Sequence, residues 1–346
     1  MSALRRIYQG GTTYDILGVA RRALVVSAVL MVLCLLSLWL RGLNLGIEFE
    51  GGVVWELPSN GVSEDEVRDT LASEGLEEAR IQVIGNDSFR IRAEADALDT
   101  QQQTTAALAE TVGVDPSEIS VSEVGPSWGD EITEKAQRAL IIFMIVITLY
   151  LTLRFEWKMA IAALVSLVHD IILTVGIYSV FQLEVTPATV IAFLTILGYS
   201  LYDTIVVFDR VRENSQQLPS RGRTTYRTVV NLSLNQVMMR SINTSLVALL
   251  PVLAMLVVGS FAFGAVALQE FAIALLIGML AGAYSSFFIA APVLVALKER
   301  EPEWAIRRRT SEASGGDDMA GAAQALAAAQ YTRSAPPRPR KRTRRR

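Results

Sequence analysis

Four ionisable side chains stand in stretches that are otherwise apolar: the adjacent His169 and Asp170, then Asp203, then Arg240. An ionisable group inside a bilayer costs roughly 2.5 to 3.5 kcal/mol on insertion scales, and such groups mark ion paths and proton relays. The chemistry these residue types offer is proton transfer. A carboxyl gains proton affinity when desolvated and loses it when a cation approaches, and an imidazole titrates near neutrality. Two readings stay open for Asp203 and Arg240. They form either a relay whose switching moves helices or a fixed buried pair that locks two helices, an arrangement that often only breaks even against apolar packing. His169 reads equally as a proton acceptor and as a neutral group satisfied by its surroundings, with Asp170 supporting either role.

Other chemistry is excluded more simply. One histidine and one cysteine, Cys34, offer no coordination shell, so no metal is expected. A lone cysteine forms no disulfide within the chain. Gly10-Gly11 and Gly51-Gly52 lack the following Lys-Ser/Thr of a phosphate-cradling loop, and no nucleophile stands out. Neither ATPase activity, covalent catalysis nor a cofactor is expected. Energy must then come from elsewhere, and a membrane carboxylate offers the route.

The elements that must position these groups are six apolar blocks: residues 23–42, 134–154, 159–181, 185–209, 233–259 and 265–298. Ala23 to Leu40 carries no charge and is long enough to cross a bilayer. It runs into Trp39 and Arg41 rather than a small-residue cleavage site, so it reads as a retained anchor. Six spans put both termini, residues 1–22 and 299–346, on one side. Arg154, Lys158 and the arginines of the 210–232 loop lie there with Arg5, Arg6, Arg21 and Arg22, which makes that side cytoplasmic. The large external segment, 43–133, is strongly acidic, with 4 basic and 20 acidic residues between Leu43 and Glu131.

At about 1.5 Å of rise per residue, Asp203 falls roughly 7 to 8 Å and Arg240 roughly 9 Å to the cytoplasmic side of the midplane. The two depths match. His169 and Asp170 lie near the centre of the third span. Gly198 and Ser200 in the fourth span, with Gly278, Gly282, Ser285 and Ser286 in the sixth, offer close helix approach. Pro187 starts the fourth helix and Pro251 kinks the fifth. Asp209 sits at the surface with Arg210 and Arg212.

The external segment alternates as a soluble domain does. Gly52 to Leu57 reads as a strand, and Ser63 with Glu66 forms a capping box ahead of a helix with Val67 and Leu71 on its apolar face. Ala79–Ile84 and Ser88–Arg92 pair across a turn at Gly85-Asn86-Asp87. A helix over Leu98–Val112 and a strand over Ile119–Val124 complete a β-α-β-β-α-β order, a ferredoxin-like sandwich. The expected fold class is a mainly α membrane protein with six transmembrane helices and this small α+β extracytoplasmic domain. The tail, 299–346, lacks the residues to bury a core and is expected to be disordered apart from one short helix over Ala320–Gln330. Its basic end suits anionic lipid better than nucleic acid.

GIEFEGG after the first span, HD in the third, GYSLYDTIVVFDRVREN closing the fourth and SLNQVMMRSINTS entering the fifth resemble the SecF members of the SecD/SecF family, within the RND superfamily. The resemblance covers roughly residues 10–300 and departs at Tyr202, where asparagine is expected, and at Glu48 and Glu50, where aspartate and threonine are. It implies an RND-type half that works with SecD on the proton-motive force during late export of preproteins through the SecYEG channel. It also implies SecA and YajC as further partners, and a multi-pass place in the bacterial cytoplasmic membrane among its lipids. No nucleic acid is expected. Asp203 matches the family's essential membrane aspartate, Arg240 its arginine partner, and Gly51-Gly52 the turn after the first helix. Two competing functions remain: half of an RND-type exporter of lipids or small molecules, and a non-transporting assembly factor.

Overall fold

The computed structural model describes residues 14–84, 88–94, 100–217, 224–262, 266–313 and 319–334. Within these, six helices are long and apolar enough to cross a membrane. The first, α1 (Ile16–Arg41), begins at Asp15, whose carboxylate accepts from the Gly18 amide, one of the donors a helix start leaves without an intrahelical partner. After it come β1 (Asn44–Leu45) and a single turn, α2 (Ile47–Glu50).

The α+β domain follows as β2 (Gly52–Pro58), α3 (Glu64–Ser73), β3 (Arg80–Ile84), β4 (Ser88–Ala93), α4 (Gln101–Val112) and β5 (Ser120–Val124). The sheet order is β3-β4-β2-β5 with every neighbour antiparallel, the ferredoxin-like arrangement the alternation predicts. Val53, Trp55 and Leu57 point to one face, where Val67, Leu71, Leu108 and Val112 of the two helices close a core. The Ser63–Glu66 capping box starts α3 as expected. The Gly85-Asn86-Asp87 turn lies outside the described residues.

Gly51 ends α2 at φ +80°, and Gly52 opens β2 at φ +132°, a conformation L side chains rarely adopt. A Cβ on Gly52 would lie 2.3 Å from the Ala93 carbonyl oxygen of the paired strand. The double glycine thus sets the angle at which the sheet leaves the membrane helices.

The remaining spans are α5 (Pro126–Arg154), α6 (Trp157–Phe181), α7 (Pro187–Gln217) and α8 (Tyr226–Ala254), followed by α9 (Val266–Ser285), which runs through a π turn, Ser286–Ala290, into α10 (Ala291–Lys298). Pro251 stays within α8, whose ladder changes to π spacing from Met255. The short β6 (Glu184–Val185), between α6 and α7, pairs in parallel with β1. α9 packs on α7 because Gly278 and Gly282 have no side chains: a Cβ there would lie 2.3 Å from Ile196 and 2.7 Å from the Ser200 Cβ. Gly198 has no such role. It is exposed, with no atom within 4 Å of its would-be Cβ, and faces away from α9.

The tail carries the short helix expected over Ala320–Gln330 and more order besides. α11 (Pro302–Ala313) and α12 (Met319–Ser334) are helical, and Trp304, Ala322 and Leu326 join the core of the helix bundle. A few large anchors suffice because the bundle supplies the rest of the burial. Trp304 meets the Tyr226 ring edge-on at 4.9 Å, and Arg307 lies over its indole. Asn231 of α8 binds both extremes of the described chain: it accepts from the Leu17 amide and donates to the Tyr14 carbonyl and the Met319 sulfur. Residues 335–346, the basic end of the tail, lie outside the described residues.

Candidate functional site

The four ionisable residues fall on α6, α7 and α8, and the structure divides them into two centres. The first centres on Asp170. Its Oδ1 lies 3.0 Å from His169 Nδ1, and its Oδ2 accepts from Ser200 Oγ of α7 at 2.5 Å and from Ser285 Oγ of α9 at 2.8 Å. Asp170 is 1% and His169 3% exposed. Nearby, Thr204 and Ser286 hydroxyls pair at 2.9 Å across the same α7–α9 contact. Asp170 is therefore a fully partnered acceptor that joins three helices. His169 Nε2 has no hydrogen-bond partner among the described residues and borders an apolar cavity of about 460 Å³ between α1, α6 and α10.

The second centre is Asp203, 2% exposed. Ser241 and Ser245 of α8 stand beside its carboxyl, and Arg240 acts on it through space. Yet Asp203 Oδ2, the Ser241 and Ser245 hydroxyls and the Tyr199 hydroxyl are all buried with no hydrogen bond of ordinary geometry among the described residues. Buried polar groups are seldom left so, and a cluster of them calls for a chemical reason. The expected pair is not closed: Arg240 forms no ion pair among the described residues and is exposed.

The turn of α8 carrying Arg240 separates two cavities. Val237 and Arg240 line an open polar one of about 760 Å³ together with Arg154, Asp209, Arg210 and Arg212. Met238, Ser241 and Ser245 line an apolar one of about 380 Å³ that contains Asp203, Phe287 and Phe288. Three- and four-residue spacing on one helix thus sends the cation to the polar cavity and the serines to the apolar one. Asp209 is held at the open cavity by Arg154 at 3.1 Å, consistent with a solvated helix end.

Chemically, Asp170 is a fixed support, whereas Asp203 is a buried carboxyl whose serine neighbours close no hydrogen bond of ordinary geometry and on which the Arg240 cation of α8 acts through space. That contrast was not legible in the residue types, which are the same. The missed partners, Ser200 and Ser285, were visible only as small residues suited to packing. Among the described residues no group of three or more His, Cys, Asp or Glu side chains could hold a metal ion.

Comparison with known proteins agrees with the motifs. The family model described as "Protein export membrane protein SecD/SecF, C-terminal" matches residues 103–300, and the "SecD/SecF GG Motif" matches residues 36–58. The chain is 42% identical over 306 residues to the protein translocase subunit SecF of Streptomyces coelicolor, covering 88% of this chain and 82% of the relative. It is 38% identical over 336 residues to that of Mycobacterium tuberculosis, covering 92% and 76%. Among solved structures, SecDF of Thermus thermophilus, a translocon-associated membrane protein, superposes with a TM-score of 0.74 at 31% identity. That match takes in 84% of this chain and 39% of the solved polypeptide.

Proposed function

As the chain belongs to the SecD/SecF family of protein-export membrane proteins, we propose that it works as the SecF half of a complex with SecD that uses the proton-motive force to draw preproteins outward through the SecYEG channel. The membrane is the bacterial cytoplasmic membrane, with both termini inside, a reading supported by the arginines of the short loops. SecA, YajC and the surrounding lipids complete the setting. Asp203 and Arg240 are the relay, and His169 and Asp170 its support.

The observation that carries this reading is the buried Asp203 carboxyl, whose Oδ2 closes no hydrogen bond of ordinary geometry and on which Arg240 acts through space. Deprotonated, it attracts the guanidinium of α8, and a charge-assisted bond to Arg240 draws α8 toward α7. Protonated, it no longer holds the cation but can donate its hydrogen to Ser241 or Ser245, which keep it satisfied in the apolar cavity. One proton thereby selects between two arrangements of α7 and α8. Because α7 packs through Ser200 against Gly282, with no slack between backbones, any rotation of α7 is passed to α9.

Asp203→Asn keeps the shape and removes the titration. In vesicles holding the chain with its SecD partner, it is expected to abolish proton flux and gradient-dependent export at unchanged membrane levels. Export that survives the substitution refutes the relay. Arg240→Met separates the relay from a structural lock: the relay predicts lost flux with normal protein levels, the lock predicts lost protein.

A further inference from the structure

The scarce cations of the external segment are not spread over its surface. Three of its four, Arg80, Arg90 and Arg92, lie on the face of the sheet away from the helices, as the registers Glu56↔Arg90, Val54↔Arg92 and Arg80↔Arg92 require. That face is turned toward the outer ends of the membrane helices. Arg90 reaches Glu270 of α9 at 2.9 Å, Glu56 at 3.4 Å and Glu184 of β6 at 3.7 Å. Arg92 reaches Glu50 of α2 at 2.9 Å and Glu184 at 3.4 Å, and Arg80 and Arg92 both donate to Asn44 of β1. Glu270 also accepts from the Thr186 hydroxyl at 3.0 Å, at the start of α7.

These are not rim contacts. The side chains of Arg90, Arg92, Glu184 and Glu270 are 12 to 15% exposed. Burial works against the Arg90 charge, but Glu184, Glu270 and Glu56 outweigh it and hold the guanidinium pKa above its ordinary value. Removing Arg90 leaves the buried Glu270 without a cation among the described residues, which is costly.

Glu270 also has a place in the bundle. It lies on α9, fifteen residues from Ser285, the hydroxyl that binds Asp170. At 1.5 Å per residue that is about 22 Å of continuous helix, with Gly278 and Gly282 seated on α7 between them. A displacement of α7 therefore arrives at Glu270 as a displacement of a rigid rod.

We propose that Glu270 is the positioning residue through which α9 hands its movement to the external domain, with Arg90 as the receiver on the sheet. The proposal rests on the relay reading, and its test separates the two. The full chain with its SecD partner is placed in vesicles, and proton flux and gradient-dependent export are measured for Arg90→Gln, Glu270→Gln, the double variant and Arg90→Lys. Each single Gln variant is expected to lower export by about tenfold, within the range of allosteric coupling, while flux stays within about twofold of the parent. The double variant should be no worse than either single one, because both break the same contact. Arg90→Lys keeps a cation and should recover most of the export. If Arg90→Gln does not accumulate, Glu270→Gln carries the test from within an intact span. Unchanged export, loss of flux together with export, or multiplied losses in the double variant overturn the proposal. Failure of the relay shows differently, as flux that persists in Asp203→Asn.

Discussion

Replacing Ser285 by Ala removes one of the two hydroxyls that hold Asp170 Oδ2, leaving Ser200 as the other. A hydrogen bond to a carboxylate contributes about 1.5 to 3 kcal/mol, so each of Ser285→Ala and Ser200→Ala is expected to destabilise the bundle by that amount. The double variant is different in kind, since it leaves a buried carboxylate oxygen with no donor and adds a desolvation penalty of about 1 to 3 kcal/mol. Its cost should exceed the sum of the single costs by about 1 kcal/mol or more, a coupling within the range seen for residues sharing a partner. The assay is reversible unfolding of the purified full chain in mixed micelles, followed by tryptophan fluorescence, for all four members of the cycle. Strict additivity within about 0.5 kcal/mol would refute the shared acceptor, and with it the view of Asp170 as the joint of α6, α7 and α9.

Gly282→Val inserts atoms where a Cβ alone would already lie 2.7 Å from Ser200, and overpacking of this kind should cost about 1 to 3 kcal/mol and depress export. Gly198→Ala, with no atom in reach, should be neutral or up to about 1 kcal/mol stabilising by helix propensity; both are read by the same unfolding assay. Glu301 bridges Lys158 and Lys298 at 3.1 Å each. Burial raises its pKa, but hydrogen bonds from the two lysines outweigh that and hold it below the ordinary 4.5. A depressed pKa means stability that is present above 4.5 and is lost as pH falls through the lower folded value. Trp304 emission, in a chain keeping only that tryptophan, should shift red below pH 4.5 and stay shifted at neutral pH in Glu301→Gln. An unchanged spectrum across that range would show that the bridge does not hold α11.

Much of this architecture is written in one-dimensional patterns. The six spans follow from apolar length, and the sandwich from period-two alternation with a capping box. What counting along a helix omits is its rotation. Gly198 and Ser200 are two residues apart, about 200° around α7, so one faces outward and the other seats Gly282. For the same reason Asp170 and Asp203 looked alike until their neighbours on other helices were known. The pairing of β1 with β6 involves two residues on each side, too few for any alternation to announce. The packing of the tail escaped notice, and α11 with it, because these helices bury only a few anchors against a surface made elsewhere, and an isolated segment carries no record of that surface.

Asn231 joins Tyr14 and Leu17 to Met319, so three sequence-distant parts of the polypeptide meet at one amide. During synthesis the first two are available as soon as α8 emerges, but the third arrives only after the sixth span and α11 have been made. This face of the bundle therefore closes only once α12 has been made, and quality control that samples it would distinguish a chain carrying α12 from one halted before it.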